Sequence, residues 1–338
     1  KAKAGDGSIS VYVRKRPLFQ HEVDRGEFDV VTVPVPEGES GSDPTEIIVH
    51  NCQMYPDLQR MFVKHSGFDM TRVFGEGVES VEVYQTAAAP MVSGALSGGI
   101  GALVMYGQTG SGKTFTMEAI EQSAVRALFA GAQGVAGASA VRVAYFEIAG
   151  KKCTDLLSPA RTEISIKEIG GGVSGGKEFK ELKPEEYRQL DVQLIGAMEP
   201  AAATVTELEQ IIAAGKGRRA TSATHCNAAS SRSHAVLRLT CILADGSTGR
   251  LTLVDCAGSE RKEDNMHHSA EQRRETAEIN ASLYALKECV RQRRLQAQKG
   301  SGDGHVHVPY RSSHLTRVLM KCFIRPDAQL GVIGTVSP

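Results

Sequence analysis

The sequence lacks several features that define familiar classes of protein. It has no net charge, because 39 Lys and Arg residues balance 39 Asp and Glu residues, so no whole-molecule field draws it toward nucleic acid or anionic lipid. It has no apolar run of the roughly 18 residues that a membrane-spanning helix needs, since its most apolar stretch, residues 94–106, is interrupted by glycines. Its first residues, KAKAGDGSISVYV, lack the apolar core of a secretory signal. These absences predict a cytoplasmic protein that binds neither nucleic acid nor membrane.

The cysteines and histidines form no pattern typical of a disulfide framework or a metal site. The seven cysteines, at positions 52, 153, 226, 241, 256, 289 and 322, are widely spaced and contain no CxxC pair. An odd number at such spacing indicates a reducing compartment. The neighbouring histidines at 267–268 and 305–307 have no third ligand nearby, and we predict no zinc there.

Strand and helix patterns alternate along the 338 residues. Short β-branched or apolar runs predict strands at 8–13, 46–50, 102–106, 141–148, 236–243 and 250–255, and 3.6-residue spacing predicts helices at 80–96, 206–214 and 275–294. Such alternation is typical of a largely parallel sheet covered by helices on both faces. Glycine-rich patches at 130–140 and 169–176 are predicted to be a loose helix end and a surface loop. Without an internal repeat or a linker, we predict one domain spanning residues 1–338.

Residues 107–114, GQTGSGKT, form a complete GxxxxGK[ST] phosphate-binding motif between the strand predicted at 102–106 and helix-compatible sequence. The glycines have no Cβ, so backbone N–H groups can close around phosphate oxygens at a helix N-terminus. The motif assigns Lys113 to the β- and γ-phosphates and the Thr114 hydroxyl to Mg²⁺. The predicted phosphate loop consists of Gly107, Gln108, Thr109, Gly110, Ser111, Gly112, Lys113 and Thr114.

Two further motifs narrow the class of triphosphate site. DCAGSE follows the strand predicted at 250–255, where Asp255 can hold a Mg²⁺-bound water and Gly258 can offer its N–H to a γ-phosphate. NAASSRSH, at 227–234, places three serine hydroxyls beside Arg232. A serine-rich stretch alone is typical of a solvated loop. Together with the other two motifs it predicts a loop that closes on the terminal phosphate.

The three motifs together resemble the phosphate loop, switch I and switch II of a kinesin motor domain, in the family's order. The similarity extends to RKRP at 14–17, VYQTA at 83–87, EINASLYALKE at 278–288 and HVPYRSSHLTRVL at 307–319. It implies an α/β P-loop NTPase fold with a central, mostly parallel eight-stranded sheet and three major helices on each side. It also implies an ATP hydrolase that is stimulated by microtubules, takes ATP and ADP with Mg²⁺, and binds tubulin.

The resemblance assigns roles to individual residues. Arg14, Arg16, Pro17 and Tyr84 would frame the adenine and ribose, although Tyr84 is equally explained as a core aromatic residue. Asn227, Ser230 and Ser231 would surround the γ-phosphate, and Thr114, Ser231 and Asp255 would hold Mg²⁺. Arg232 and Glu260 would form an ion pair that closes the site and relays a proton from the attacking water. The implied catalytic set is Ser230, Ser231, Arg232, Asp255, Gly258 and Glu260.

The same resemblance implies that tubulin is bound by the helix at 275–294, the loop after it and the helix begun by YRSSHLTRVL. Residues 291–299, RQRRLQAQK, carry four basic and no acidic side chains, which suits an acidic partner surface. Lys216, Arg218 and Arg219 form a weaker basic cluster before switch I. His314 stands where the family commonly has Lys. The implied tubulin contacts are Lys287, Arg291, Arg293, Arg294, Lys299 and Arg311.

Within the family the chain is most similar to the kinesin-13 group, which depolymerises microtubule ends. The similar segments are VRKRPL at 13–18, LKEC at 286–289 and the stretch 260–280. The group's Lys-Val-Asp loop tip has no clear counterpart, since YPDL at 55–58 keeps only Asp-Leu. The alternative is a kinesin that moves along microtubules. Either is expected on the cytoplasmic cytoskeleton, including a spindle or flagellum, with any dimerisation through segments outside this chain.

The sequence departs from the kinesin pattern at two places and leaves three alternative functions. The sequence runs from Met117 directly into EAIEQSAVRAL, where kinesins commonly have a longer loop, and it ends at 335–338 before a final helix and neck. A GTPase would carry an NKxD motif, which this sequence does not contain. A helicase would carry an acidic pair after the strand, where this chain has Asp255-Cys256. A microtubule adaptor without hydrolysis is disfavoured because every residue assigned to phosphate and Mg²⁺ is present.

Overall fold

The computed structural model describes residues 9–34, 43–169, 190–225, 232–260, 270–299, 308–325 and 327–338. In these ranges, short strands alternate with helices. The strands are β1 Ile9–Lys15, β2 Val31–Thr32, β3 Glu46–Met54, β4 Met61–Asp69, β5 Arg72–Phe74, β6 Ile100–Gly107, β7 Ala140–Ala149, β8 Lys152–Asp155, β9 Ser165–Ile169, β10 Asp191–Ile195, β11 Ala201–Ala202, β12 His234–Ile242, β13 Thr248–Asp255 and β14 Gln329–Val336. The helices are α1 Gln20–Val23, α2 Ser80–Val83, α3 Ala89–Leu96, α4 Lys113–Ala130, α5 Val205–His225, α6 Ala270–Lys299, α7 His314–Val318 and α8 Met320–Ile324.

The central sheet has the strand order β11-β7-β12-β13-β6-β14-β1-β5, and β8 adds a ninth strand that pairs with β7. From β13 to β5 every neighbouring pair is parallel. From β11 to β13 the pairs are antiparallel. The eight strands of the continuous path match the predicted number, and the predicted α/β class is confirmed.

The sheet is buried on both faces, which explains the apolar run that precedes the phosphate loop. In β6, Leu103 and Met105 contribute to a core shared with α3, α4 and α5. Ala102 and Val104, which alternate with them, contribute to a second core shared with α6, α7 and α8. All four side chains are fully buried. A strand with an apolar core on each side needs no polar alternation, and its carboxyl end therefore delivers the phosphate loop from a fixed base.

The helix predicted at 80–96 is interrupted by a π-helical segment, Tyr84–Ala88, between α2 and α3. Pro90 lies in the first turn of α3. Because proline has no N–H, it cannot donate to a carbonyl oxygen of the preceding turn, and the loss of that hydrogen bond favours a wider, π-helical turn. By contrast, α4 runs without a break through Met117 and Glu118. The connection that kinesins commonly lengthen is here a continuous helix. α5 and α6 extend beyond the predicted ranges at both ends.

Strand β4 and its pairing with β3 in a hairpin were not predicted. The two strands pair over nine residues, from Glu46 opposite Asp69 to Met54 opposite Met61. At the base, Ile47 is buried with Val13, Val31 and Val73 in a small core. The far end carries exposed apolar side chains, namely Met54, Tyr55, Leu58 and Met61. The hairpin is therefore anchored at one end and apolar at the other.

Two further features of the described residues are the length of their apolar helices and the state of their cysteines. No helix in these ranges is long and apolar enough to cross a bilayer. The six described cysteines are free thiols, and all except Cys52 are buried. The predicted surface loop at 169–176 lies almost entirely outside the described residues.

Candidate functional site

The phosphate loop connects the buried end of β6 to the first turn of α4. Gly110 and Gly112 adopt φ values of +81° and +97°, a left-handed conformation that side chains disfavour. The Ser111 hydroxyl lies 2.7 Å from the Gln108 carbonyl oxygen and holds the turn closed. Lys113 donates from Nζ to the Gly107 and Gln108 carbonyl oxygens at 2.9 and 2.8 Å. The loop thus has the backbone form that a row of phosphate-directed N–H groups requires.

The DCAGSE segment lies against this loop, as its position after β13 next to β6 dictates. The Thr114 hydroxyl donates to Asp255 Oδ2 at 3.0 Å. The Ser259 N–H donates to the Gly107 carbonyl oxygen at 3.1 Å. Both segments line one cavity of about 240 Å³. Its lining residues are Thr109, Gly110, Gly112, Lys113, Thr114, Phe115, Asp255, Cys256 and Gly258.

Electrostatics in the cavity are set by one lysine and two carboxylates. Burial lowers the pKa of Lys113, and Asp255 and Glu260 oppose that shift. Burial alone would raise the pKa of Glu260, but hydrogen bonds from Thr109 and from its own backbone, together with the charge of Lys113, outweigh burial and the pKa is lowered. An anion entering the cavity therefore meets a cation that nearby carboxylates help to keep protonated.

The residues beside the cavity fit a Mg²⁺ ion. Mg²⁺ prefers hard oxygen ligands and is usually held by one or two carboxylates together with phosphate and water oxygens. Asp255 is buried, and its Oδ1 atom has no hydrogen-bond partner among the described residues. The Thr114 hydroxyl lies against the other carboxylate oxygen of Asp255. The third predicted ligand, Ser231, lies outside the described residues.

Arginines and an exposed aromatic ring lie at the open side of the phosphate loop. Arg14 donates to the Thr116 hydroxyl and to the Val78 carbonyl oxygen, and its guanidinium lies 5.5 Å from the centre of the Phe115 ring. Arg16 donates from Nε to the Gly110 carbonyl oxygen at 2.9 Å and to the Pro17 carbonyl oxygen. Arg14, Arg16 and Pro17 thus lie beside the loop.

The two aromatic residues near this region have opposite environments. Phe115 was not predicted as a site residue, yet it is 68% exposed and lines the cavity. Tyr84, which was predicted, is half-buried and packs against the core below α3 and α4. It does not line the described cavity. The signal that sequence reasoning overlooked was its position directly after the GKT triplet, which places Phe115 in the first turn of α4 beside the phosphate loop.

The predicted ion pair between Arg232 and Glu260 is not formed in this structure, in which both side chains are described. Arg232 lies 3.6 Å from Glu275 of α6. Glu260 instead accepts the Thr109 N–H at 2.7 Å. Because the Glu260 carboxylate already accepts this charge-assisted hydrogen bond, pairing with Arg232 would stabilise it less. The other switch I residues, Asn227, Ser230 and Ser231, lie outside the described part of the chain.

Arg219 is a site residue that the sequence reasoning placed in a basic surface cluster. It is largely buried, with its Nη1 atom 3.5 Å from Asp255 Oδ2 and its Nη2 atom donating to the Ser233 carbonyl oxygen at 3.0 Å. Its neighbours are also held within the molecule: Lys216 pairs with Glu121 at 2.8 Å, and Arg218 donates to a carbonyl oxygen of residue 156. All three basic residues of the cluster therefore have contacts within the molecule, and Arg219 reaches the site itself.

The residues predicted to face tubulin are spread along α6 and beyond it, and several pair within the chain. Arg291 pairs with Glu288 at 2.8 Å, and Arg311 with Glu168 at 2.7 Å. Arg293 donates to a backbone carbonyl oxygen of residue 325. Lys287 is exposed and lies over the Tyr106 ring. Arg294 is exposed as well, while the side chain of Lys299 lies outside the described residues.

The described residues contain no group of three or more His, Cys, Asp or Glu side chains that could hold a metal ion by themselves. His50 and His65 meet across the β3–β4 pair at 2.7 Å, but as a hydrogen-bonded pair. The histidines at 267–268 and 305–307 lie outside the described ranges.

The fold and the site together define a P-loop nucleoside triphosphatase: a parallel sheet delivers a glycine-rich loop, and the neighbouring strand delivers an acidic residue to the same cavity. The kinesin motor domain family matches residues 14–338. The chain belongs to this family. Kinesin motor domains are microtubule-stimulated ATPases.

Comparison with known proteins agrees with this membership. "Diatom spindle kinesin-1" of Cylindrotheca fusiformis is 32% identical over 98% of this chain and 48% of its own length. "Kinesin-like protein KIF24" of Mus musculus is 34% identical over 98% of this chain, and that of Homo sapiens 33%. The chain spans about half of the diatom protein and 22% of each mammalian one.

Two solved structures share the fold. One described as the structure of a fast kinesin superposes with a TM-score of 0.68 at 25% identity, covering 99% of this chain and 87% of that one. The C-terminal motor and motor homology domain of Kar3Vik1 superposes with a TM-score of 0.72 at 25% identity, covering 98% and 80%.

Proposed function

We propose that this chain is a microtubule motor domain spanning residues 1–338, which hydrolyses ATP in the cavity between the phosphate loop and the DCAGSE segment. The observation that carries the proposal is that Lys113, Thr114, Asp255 and Gly258 line one cavity. The parallel pairing of β1 with β14 supports the single domain, since it joins the two ends of the described chain in one sheet. The phosphate groups of ATP would take the loop N–H groups and the Lys113 ammonium.

The nucleobase would lie beside Pro17 and stack on Phe115, with Arg14 on the same ring. An exposed aromatic ring beside a phosphate site offers a flat apolar surface on which a nucleobase can stack. Arg16 would support the phosphate loop directly, because it donates to the Gly110 carbonyl oxygen. Tyr84 would contribute through the core on which α4 rests.

Mg²⁺ would be held by Thr114, Asp255 and Ser231, and when bound it neutralises developing charge on the phosphate oxygens. Arg219 would keep the Asp255 carboxylate oriented, because it reaches that carboxylate from α5. Asn227, Ser230 and Ser231 would order around the γ-phosphate. Closure would bring Arg232 from Glu275 to Glu260, and Glu260 would release Thr109 and accept a proton from the attacking water.

The tubulin-facing surface would be formed by the exposed basic residues of α6 and the segment before α7. Lys287 and Arg294 are exposed, and Arg291 and Arg311 keep more than half of their side-chain surface exposed despite their acidic partners. Breaking a solvent-exposed ion pair so that the arginine can pair with another carboxylate costs little, about 0–1 kcal/mol. An acidic tubulin surface can therefore replace Glu288 and Glu168. Any dimer would form through segments outside this chain, and the protein would act on cytoplasmic, spindle or flagellar microtubules.

We further propose that the motor depolymerises microtubule ends, as kinesin-13 proteins do. The support is the β3–β4 hairpin, whose tip is braced by a contact between Arg60 and Asp57 at 2.9 Å and exposes Leu58 and Met61 by 72% and 75%. Apolar side chains that are exposed close together are typical of protein–protein interaction sites. A protruding apolar tip would fit between tubulin subunits where a filament bends.

Fluorescence microscopy of stabilised microtubules distinguishes depolymerisation from translocation. With ATP, filaments should shorten from their ends, and Leu58→Asp combined with Met61→Asp should stop the shortening while ATP turnover persists. Val81→Asp is the matched control, because Val81 is 61% exposed and belongs to α2, which is not part of the hairpin. Directed gliding of surface-bound filaments without shortening would instead establish a translocating motor.

A further inference from the structure

His234, the last residue of the NAASSRSH motif, is buried to 1% exposure at the start of β12. Both of its ring nitrogens have partners on other elements. Nδ1 accepts the Ala257 N–H at 3.1 Å, and Nε2 lies 2.7 Å from the Ser282 hydroxyl of α6. Ala257 is part of the DCAGSE segment, two residues after Asp255. One imidazole therefore contacts both the nucleotide-side segment and the long helix.

The direction of each hydrogen bond follows from the donors available. Because the Ala257 N–H can only donate, Nδ1 carries no proton and Nε2 carries one. Nε2 then donates to the Ser282 oxygen, and the Ser282 hydroxyl donates onward to the Ile279 carbonyl oxygen at 2.7 Å. The result is a complete chain of three hydrogen bonds in which every donor has one acceptor. Burial, together with Arg219, lowers the pKa of His234 to about 4, which is consistent with a neutral ring.

Two weaker contacts join the same turns of α6 to the nucleotide side. Asn280 donates to the Glu260 carbonyl oxygen at 3.4 Å, and Arg232 lies 3.6 Å from Glu275. The His234 chain differs from these two because it is fully buried and contains no long flexible side chain. Water does not compete for buried hydrogen bonds, so a shift of Ala257 must move Ser282 or break the chain.

We propose that His234 is a positioning residue that transmits the state of the DCAGSE segment to α6 through Ser282. This role rests on the proposed motor function and adds to it: when γ-phosphate contacts move Gly258, the backbone at Ala257 moves with it, and the imidazole carries that displacement to the helix that bears the tubulin-facing residues. The imidazole does not line the cavity between the phosphate loop and the DCAGSE segment.

The test compares the microtubule affinity of each variant in ADP and in a non-hydrolysable ATP analogue by co-sedimentation, using the ratio of the two dissociation constants. Ser282→Ala removes the helix end of the chain. His234→Gln keeps a donor toward Ser282 and removes the acceptor for Ala257. Each variant loses one of the two bonds that His234 makes, and Ser282→Ala also loses the bond from its hydroxyl to the Ile279 carbonyl oxygen. Because one bond of His234 is lost in either case, each ratio should fall about five-fold. Ser123→Ala is the control, since that hydroxyl also donates to a carbonyl oxygen of its own helix, four residues earlier.

The double variant, His234→Gln with Ser282→Ala, distinguishes a relay from two separate structural contacts. A single chain is broken equally by either change, so the double variant should lose no more coupling than the worse single variant. Additive losses, or an unchanged ratio in both single variants, would overturn the role of His234. Thermal unfolding and basal ATP turnover confirm that each variant is folded. A wild-type protein whose microtubule affinity ignores the nucleotide would instead overturn the proposed motor function itself, and the relay with it.

Discussion

Replacing Glu260 by Ala should separate nucleotide binding from hydrolysis. In the structure the Glu260 carboxylate accepts the Thr109 N–H at 2.7 Å, a group that a bound phosphate would use. A hydrogen bond to a charged group contributes about 1.5–3 kcal/mol when shielded, and the partial exposure of Glu260 reduces this to about 1 kcal/mol. Glu260→Ala frees the N–H and removes a negative charge, so affinity for ADP should rise about five-fold or stay level.

Turnover should fall far more than binding changes. If Glu260 pairs with Arg232 and takes a proton only as the reaction proceeds, its loss removes stabilisation of the transition state alone. Loss of one such preorganised group costs about 10²–10³ in turnover. Fluorescent ADP titration measures the first quantity, and phosphate release with saturating microtubules measures the second.

Glu275→Gln is the matched control, because Glu275 holds Arg232 in this structure. That pair is partly exposed and worth at most about 1 kcal/mol, so freeing Arg232 should leave turnover unchanged or raise it by up to about five-fold. Unchanged turnover in Glu260→Ala would refute the proton role of Glu260. A marked loss of ADP affinity in the same variant would refute the competition at Thr109.

Three further changes test other parts of the site. Arg219→Ala should raise the Mg²⁺ concentration needed for half-maximal ATP turnover about ten-fold, as loss of an orienting neighbour does, with Arg219→Lys intermediate; an unchanged Mg²⁺ dependence would contradict the orientation of Asp255. Phe115→Ala should weaken ATP binding by about 1–3 kcal/mol, the value of one stacked base, and leave tripolyphosphate binding unaltered, whereas equal losses would place the base elsewhere. The pKa of His234 falls from 6.5 to about 4 on folding, so as the pH is lowered the unfolded chain binds the proton before the folded chain does. The contribution of neutral His234 to the free energy of unfolding is therefore complete above pH 6.5 and declines by up to about 3 kcal/mol toward pH 4. Chemical unfolding across this range should show that slope in the native protein and lose it in His234→Asn.

The phosphate loop was predictable because its chemistry is local. Eight consecutive residues set the turn, the cation and the helix start, and the buried strand before them is visible as an apolar run. Asp255 and Gly258 followed for the same reason, since they come directly after a second such strand. The adjacency of β13 and β6 then brings the two segments to one cavity.

Other features depend on contacts that no local pattern shows. Arg219 belongs to a basic stretch typical of a solvated surface, and only the packing of α5 turns it toward Asp255. Strand β4 was missed because its side chains are largely exposed on both faces, so the alternation that identifies a half-buried strand is absent. Phe115 was missed because exposure of an aromatic ring is a tertiary property. The Arg232–Glu260 contact is conditional on closure, and the structure shows each residue with a different partner.

Helix α6 contacts the candidate nucleotide site with its first half and carries exposed basic residues in its second half. These contacts explain how a change at the site can reach the basic surface. The first half of α6 contacts the nucleotide side through Glu275, Asn280 and Ser282, whereas Lys287 and Arg294 lie further along the same helix. A continuous helix transmits a displacement at one end to the other without an additional connection. The arrangement therefore requires only that closure move residues 255–260, and the strength of the buried contact at Ser282 then decides how much of that movement reaches the basic surface.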